Sequence, residues 1–219
     1  MIVAIDGPAG SGKSTVARLL SQALALTYVD TGAMYRAVAL ACLRAGVPLT
    51  DQAQVVDVAQ RARIHFGGES PNQRVLLDGE DVTEAIRDPD VTRLSSPVSA
   101  VSGVRRALVA HQRALAASGG VVMEGRDIGT VVLPEADLKV FLTASIGERA
   151  RRRRLDLAEK GIEIGAEEVA AQIEERDQRD STRADSPLRP AADAIIIDTD
   201  RLTVADVVAR IVDLAERAR

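Results

Sequence analysis

The segment Gly7-Pro8-Ala9-Gly10-Ser11-Gly12-Lys13-Ser14 constrains this chain more than any other. It has the form G-x-x-x-x-G-K-[ST], and its flanks give the match meaning. Before it, Ile2 to Ile5 is a short continuous apolar run that reads as a buried strand. After it, Val16, Leu19, Leu20, Ala23 and Leu24 fall at the spacing of one apolar helix face, which predicts a helix from about Lys13 to Ala25. Glycines let the turn wrap a polyphosphate with its N–H groups pointing inward, and the helix N-terminus adds partial positive charge. Lys13 can then reach the β- and γ-phosphates, and the Ser14 hydroxyl can ligate Mg²⁺. The bland alternative is a glycine turn that binds nothing. Context weighs against it, and so does composition: Lys13, Lys139 and Lys160 are the only lysines, and the other 25 of the 28 basic residues are arginines.

The rest of the chain alternates strands with helices, the pattern of a parallel α/β sheet. Tyr28-Val29, Val121–Met123, Lys139–Leu142 and Ala194–Ile197 read as further core strands. Helical patterns cover Gly32 to Ala45, a segment capped at Thr50 or Asp51 and running to about Arg63, and Pro89 to Ser118. They resume over Arg149 to Lys160 and Ala166 to about Arg183, around a Gly161/Gly165 hinge. A last helix carries Val204, Val207, Val208, Ile211 and Val212 on one face. Between them, Ile64–Phe66, Arg74–Leu77 and Asp81-Val82 are short and β-like, separated by Gly67-Gly68, Ser70-Pro71 and Asp78-Gly79. Three small strands joined by tight turns predict an insert on the main sheet.

Several function classes drop out. Acidic residues outnumber basic ones, 32 to 28, for a formal net charge of −4, which argues against nucleic-acid binding through general positive charge. The single Cys42 sits in the apolar run Ala37 to Leu43 and excludes an intramolecular disulfide or a cysteine metal cluster. His65 and His111 are isolated from one another, so neither a histidine metal site nor histidine catalysis is expected. No apolar run approaches the roughly 18–20 residues of a membrane helix, and Asp6 follows too early for a signal peptide. A cytoplasmic protein with no membrane or nucleic-acid partner is the expectation, and nothing marks an oligomer interface, so a monomer is expected.

A triphosphate-binding loop leaves two classes open: a hydrolysing switch or motor, and a kinase for a small acceptor. The sole asparagine, Asn72, is followed by Gln73, so the Asn-Lys-x-Asp base-reading motif of GTPases is absent. No strand ends in a clear Asp-Glu pair, which weakens the motor reading. A kinase needs a second anion site. In a parallel sheet the C-terminal strand ends share one edge, so Asp30-Thr31-Gly32-Ala33-Met34-Tyr35-Arg36 and Glu124-Gly125-Arg126-Asp127 should meet the phosphate loop in one cleft. Arg36 and Arg126 suit forked recognition of phosphate. On one helix, Val169, Ile173, Arg176, Asp180 and Arg183 form a stripe that changes from apolar to ionic. A solvated face with an i,i+4 pair such as Arg176–Asp180 is the plain alternative; a helix that leaves the core to line a cleft explains the switch better.

The segments IDGPAGSGKST, YVDTGAMYR, LDGEDVTEAIR, VRRAL…QRAL, EGRDIGTVV, ERARRRR, EERDQRDSTR and ADAIIIDT are colinear, cover nearly the whole chain, and resemble bacterial-type cytidylate kinase of the nucleoside monophosphate kinase group. The resemblance implies a P-loop NTPase-type three-layer α/β/α fold with a five-stranded parallel sheet, a small β-containing acceptor insert and a helical lid. It implies a core of residues 1–63, 101–148 and 184–219, an insert of 64–100 that binds CMP, and a lid with its following helix over 149–183. Gly7, Pro8, Ala9, Gly10, Ser11, Gly12, Lys13, Ser14 and Thr15 would bind ATP, with Mg²⁺ at Ser14. Thr31, Tyr35, Ser96, Arg105, Arg126, Asp127, Arg176, Asp180 and Arg183 would bind CMP or dCMP, with Arg36 at its phosphate. Thr31 departs from the Ser common in relatives but keeps the hydroxyl.

The dense run Arg149, Arg151, Arg152, Arg153, Arg154 reads as a nucleic-acid patch, a solvated helix face or a lid. By the same resemblance Arg149, Arg152 and Arg153 match the lid's basic positions, with Arg151 and Arg154 facing solvent. Lys13, Arg126, Arg149 and Arg153 are the expected catalytic residues. The implied reaction is γ-phosphoryl transfer from ATP to CMP; a uridylate or other small-acceptor kinase, or a regulatory ATPase, are the alternatives.

Overall fold

The computed structural model describes residues 1–68, 73–159 and 161–218. The Ser70-Pro71 turn and the helix end at Lys160 lie outside the described residues. The main sheet is parallel and five-stranded, in the order β2 (Thr27–Asp30), β6 (Val121–Gly125), β1 (Ile2–Asp6), β7 (Leu138–Thr143), β8 (Ile195–Asp198). This is the doubly wound sheet expected of the alternating pattern.

β1 shows why continuous apolar runs belong here. Helices cover both faces of a parallel sheet, so neighbouring residues of one strand enter different cores. Val3 and Ile5 pack with α1 (Lys13–Leu24) and α8 (Val204–Arg217), through Val16, Leu20, Val207 and Ile211. Ala4 packs on the other face with Met123, Ile128 and Ala116. Ala116 ends α5 (Ser102–Ala116), and α2 (Thr31–Arg44), α3 (Gln52–Arg61) and α4 (Pro89–Ala100) share a third core through Met34, Val38, Val55, Val98 and Leu108. Asp51, not Thr50, caps α3: its carboxylate accepts from the Gln54 N–H. The helical stretch that starts at Pro89 breaks at Val101, whose extended backbone turns the chain from α4 into α5.

The short middle strands β3 (Ile64–Gly67), β4 (Arg74–Leu77) and β5 (Glu80–Asp81) form a separate antiparallel sheet. One sequence expectation fails here. The histidines are not isolated: the His65 and His111 rings meet edge to face, 6.4 Å apart, where β3 lies against α5. Sequence separation said nothing about this, because the contact depends on how the small sheet docks.

A feature with no signal in the hydropathy pattern follows β6. Residues Ile128–Val132 make a π-helical turn, a form that appears mostly near functional sites. α6 (Ile146–Ala158) and α7 (Ala166–Thr182) pack on each other through Ala150, Leu157, Val169 and Ile173. No helix among the described residues is long and apolar enough to cross a membrane.

Candidate active site

β1 ends at Asp6, and the phosphate loop starts at the C-terminal edge of the sheet. Gly7 is required there, since a Cβ at this position would stand 2.1 Å from the Leu142 carbonyl oxygen of the neighbouring strand. Gly10 has φ +77°, and a Cβ there would press the Arg149 Cβ at 3.1 Å. The loop delivers the chain into α1 through Gly12, and α1 has no side-chain cap. α2, α3, α4, α6 and α8 have one, while α5 and α7, like α1, do not. The first N–H groups of α1 are therefore left to an external acceptor, the arrangement that binds phosphate.

Lys13 is buried at the loop's centre. Its Nζ donates to the Pro8 carbonyl at 2.6 Å and lies 3.4 Å from Ser11 Oγ. Burial holds the ammonium well below the ordinary lysine range, and the Arg126 and Arg176 charges push it the same way. Ser14 and Thr15 are exposed at the first turn. The Ser14 hydroxyl is also one of the groups that stabilise the Glu124 carboxylate.

The second strand end lies beside this loop. Asp30 pairs across the sheet with Glu124, and Asp6 with Gly125. Asp30 caps α2 and takes Arg36 Nη2 at 2.7 Å. Tyr28 donates to Glu124 Oε1 at 2.5 Å, and burial raises the Tyr28 phenol far above its usual range. Thr31 donates its hydroxyl proton to the Glu124 carbonyl at 2.7 Å, so only lone pairs remain for another group.

Beyond Glu124 the chain enters the predicted acceptor residues, which the fold gathers into one buried ionic network. Asp127 pairs with Arg105 and stands 3.7 Å from Arg183. The Arg105 guanidinium lies 5.5 Å from the centre of the Tyr35 ring. Asp180 takes Arg126 Nε at 3.0 Å and faces Arg183 at 4.0 Å. The helical pair Arg176–Asp180 that the spacing suggested is not among these ion pairs, because Asp180 turns to Arg126 instead. Ser96, on α4, accepts from Arg179 Nη1 at 2.9 Å.

Two properties of this network point to a ligand. The first is crowded positive charge. Burial and then Arg126 push the Arg176 guanidinium down to about 10, with Arg36 and Arg153 adding to the effect. Arginine remains charged at neutral pH, so the shift reflects burial first and then repulsion from neighbouring arginines, which an anion would relieve. The second is unmet hydrogen-bonding capacity. Buried polar atoms are nearly always paired, yet Tyr35 Oη, Arg36 Nε, Arg105 Nε, Arg176 Nε and Arg183 Nη2 have no hydrogen-bond partner. These five belong to residues singled out as acceptor-binding from sequence; Gln112 Nε2, Thr130 Oγ1 and Asp177 Oδ1 are the other such atoms among the described residues.

Of the arginines of α6, Arg151 and Arg154 face solvent as expected, and the others have separate surroundings. Arg149 is buried and committed to structure: Nε donates to the Ala144 carbonyl at 3.0 Å, and Nη1 to the Ala9 carbonyl at 3.2 Å and to Asp177 Oδ2 at 2.5 Å. It ties α6 and α7 to the phosphate loop. Arg152 bonds Glu148 at 2.7 Å and Thr199 at 2.9 and 2.8 Å. Arg151 and Arg154 are exposed, and Arg153 is half-buried with its charge felt at Arg176.

Sequence reasoning assigned no role to several residues that shape the site: Asp6, Tyr28, Asp177 and Arg179. Asp6 had a signal, a lone carboxylate closing an apolar strand beside the phosphate loop. It is buried and accepts the backbone N–H groups of Ile128 at 2.8 Å and Gly129 at 2.7 Å. It thereby pins the π-helical turn just after Asp127 to the start of the phosphate loop. Burial pushes its carboxyl up to about 6, although those two N–H groups oppose the shift. Between the ordinary carboxyl range near 4 and this value, the folded protein holds a proton that the unfolded chain has lost. Asp6 therefore makes stability fall as pH rises from about 4 to about 6. Denaturant unfolding across that range should show stability falling less, or rising more, with pH for Asp6→Asn than for the wild type. An identical slope in both would show that Asp6 is not the titrating group.

Known proteins share much of this sequence. The cytidylate kinase of Pelotomaculum thermopropionicum is 56% identical over 211 residues, covering 96% of this chain and 93% of its own. That of Carboxydothermus hydrogenoformans is 49% identical, covering 99% and 98%. A bifunctional pantoate ligase/cytidylate kinase of a Synechococcus strain is 54% identical over 97% of this chain, which spans 40% of that longer protein. Among solved structures, a shikimate kinase from Bacteroides thetaiotaomicron superposes with TM-score 0.51 at 13% identity over 99% of this chain and 98% of its own, a likeness of fold. The cytidylate kinase family model matches residues 3–217, and the chain belongs to the cytidylate kinase family.

Proposed function

We propose that the protein transfers the γ-phosphoryl group of ATP to CMP, and to dCMP, by in-line displacement. The observation that carries this reading is the set of five buried polar atoms on Tyr35, Arg36, Arg105, Arg176 and Arg183 that make no hydrogen bond. They converge at the strand edge beside a phosphate loop. A small polar anion that fills the cleft would satisfy the hydrogen bonds and offset the charge together.

The nucleophile is an oxygen of the CMP phosphate. Its second pKa is about 6, so at neutral pH it is largely ionised and needs no general base. Neither histidine stands in the ionic network, in keeping with that chemistry. Catalysis then rests on positioning and charge neutralisation. The loop from Gly7 to Thr15 holds the ATP phosphates, with Lys13 turning from the Pro8 carbonyl to the transferring group. Arg36, Arg126 and Arg176 orient the acceptor phosphate. Asp180 receives ribose hydroxyls. Asp127 accepts the exocyclic amino group of cytosine, while Arg105 and Ser96 donate to its ring acceptors. Uracil carries a carbonyl where cytosine has that amino group and would face Asp127 unfavourably.

Residues 64–100 serve as the acceptor-binding insert and 149–183 as the lid whose closure excludes water. In the lid, Arg153 is the arginine free to approach the phosphoryl group, while Arg149 braces the loop. The oxygen donors at the loop fit Mg²⁺: the exposed Ser14 hydroxyl stands by the buried Glu124 carboxylate. Among the described residues no cluster could hold a metal by itself, as suits an ion carried in by nucleotide phosphates. When bound, Mg²⁺ would neutralise charge on the β- and γ-phosphates.

A coupled assay with ATP and each of CMP, dCMP, UMP and AMP tests the reading. CMP and dCMP should be used best. Preference for UMP would favour a uridylate kinase, and ATP hydrolysis with no acceptor used would favour a regulatory ATPase.

A further inference from the structure

Ser96 sits on α4 of the insert, and Arg179 sits on α7, on the far side of the acceptor cleft in sequence. The Arg179 guanidinium is held from two directions. Nη2 pairs with Glu175 one turn back at 2.5 Å, and Nη1 donates to Ser96 Oγ at 2.9 Å. The same helix carries Arg176, Asp180 and, just past its end, Arg183, so the helix bearing the acceptor's ionic partners also grips a residue of the insert.

The direction of that bond has a chemical consequence. A serine hydroxyl has one proton and two lone pairs. Here one lone pair faces a cation, and no hydrogen bond donated by Ser96 Oγ occurs among the described residues. A charge-assisted donor draws density from the oxygen. The proton becomes the stronger donor, and the remaining lone pair becomes a poor acceptor. Pyrimidines differ at this point: cytosine N3 accepts, whereas uracil N3 carries a proton. A hydroxyl polarised to donate therefore matches cytosine and opposes uracil. Ser96 is 4% exposed, so water does not dilute the effect.

We propose that Arg179 is a specificity-determining positioning residue, which fixes the Ser96 hydroxyl as a donor to the pyrimidine ring and docks α7 on the insert. The proposal rests on the reading of Ser96 as part of the CMP site. Arg179 does not touch the reacting phosphates, so its effect should fall on KM and on base preference more than on kcat.

A double-mutant cycle tests it, using kcat and KM for CMP and UMP in the wild type, Arg179→Ala, Ser96→Ala and the double variant. Loss of a charged hydrogen bond of this kind is worth about a factor of ten. Arg179→Ala should raise KM for CMP about tenfold, lower kcat less than threefold, and narrow the CMP-over-UMP preference by a similar tenfold. In the Ser96→Ala background the same substitution should leave the preference unchanged, because the hydroxyl it acts through is gone. Arg179→Lys, which keeps a cationic donor, should recover part of the preference. Equal losses for CMP and UMP, or an undiminished effect of Arg179→Ala without Ser96, would overturn the proposal and leave a bracing role only. A wild-type enzyme with no cytidine preference would instead overturn the functional reading on which it rests. Unfolding midpoints of all four proteins separate these outcomes from loss of fold.

Discussion

Lys13→Met is expected to lower kcat for phosphoryl transfer by at least about a hundredfold, the scale on which one charge-stabilising donor acts in a transition state. The fold should survive. Lys13 is buried beside Arg126 and Arg176, and burial already holds its ammonium below the usual range. A methionine of similar length fills the space without a charge to desolvate. It gives up the bond to the Pro8 carbonyl and the attraction of Glu124 and Asp6, and relieves the burial of a charge, the largest effect, with the repulsion from two arginines. Stability should therefore stay level or rise as activity disappears, the trade-off typical of a strained functional site. Paired measurements of turnover and denaturant unfolding test both halves. Near-normal turnover would remove the phosphate loop from the mechanism.

Asp127→Asn should separate base recognition from phosphate recognition. Asp127 balances two buried arginines, pairing with Arg105 and standing 3.7 Å from Arg183. The amide keeps one acceptor oxygen but places an N–H₂ donor near the cytosine amino group and leaves Arg105 without its counter-charge. Efficiency with CMP should fall by about 10²-fold or more, the range for a site built around a polar group that no longer pairs. UMP should lose less, because the amide can donate to the uracil carbonyl. Stability should also drop, since losing one side of a buried ion pair costs up to about 3–5 kcal/mol. An equal loss of kcat/KM for both nucleotides would mean that Asp127 does not read the base.

Much of this architecture was legible in the chain. Continuous runs such as Ile2 to Ile5 mark strands covered on both faces, and the glycine-lysine turn marks where the first of them ends. The candidate acceptor residues were also visible, since Arg126-Asp127 ends a strand and the Arg176, Asp180, Arg183 stripe turns ionic along one helix face. Their partners were not. Helical spacing suggested Arg176–Asp180, but Asp180 binds Arg126, 54 residues away. The resemblance gave Arg149 as one of three basic positions of the lid. Packing gives it the Ala9 carbonyl as an acceptor, which no local pattern contains. The His65–His111 contact and the Asp6 bonds to the π-helical turn were hidden for the same reason.

Local sequence thus determined which elements form and which carry anion-binding chemistry, because periodicity, glycine geometry and helix termini act over a few residues. The tertiary structure alone decided which arginine meets which carboxylate, and which polar atoms stay unpaired. Those outcomes depend on strand order. β1 lies between β6 and β7, and this brings Asp6 beside Gly125 and sets Lys13 against Arg126. Charges separated by more than a hundred residues in sequence then share one desolvated cleft, where like charges repel and buried polar atoms lack hydrogen-bond partners.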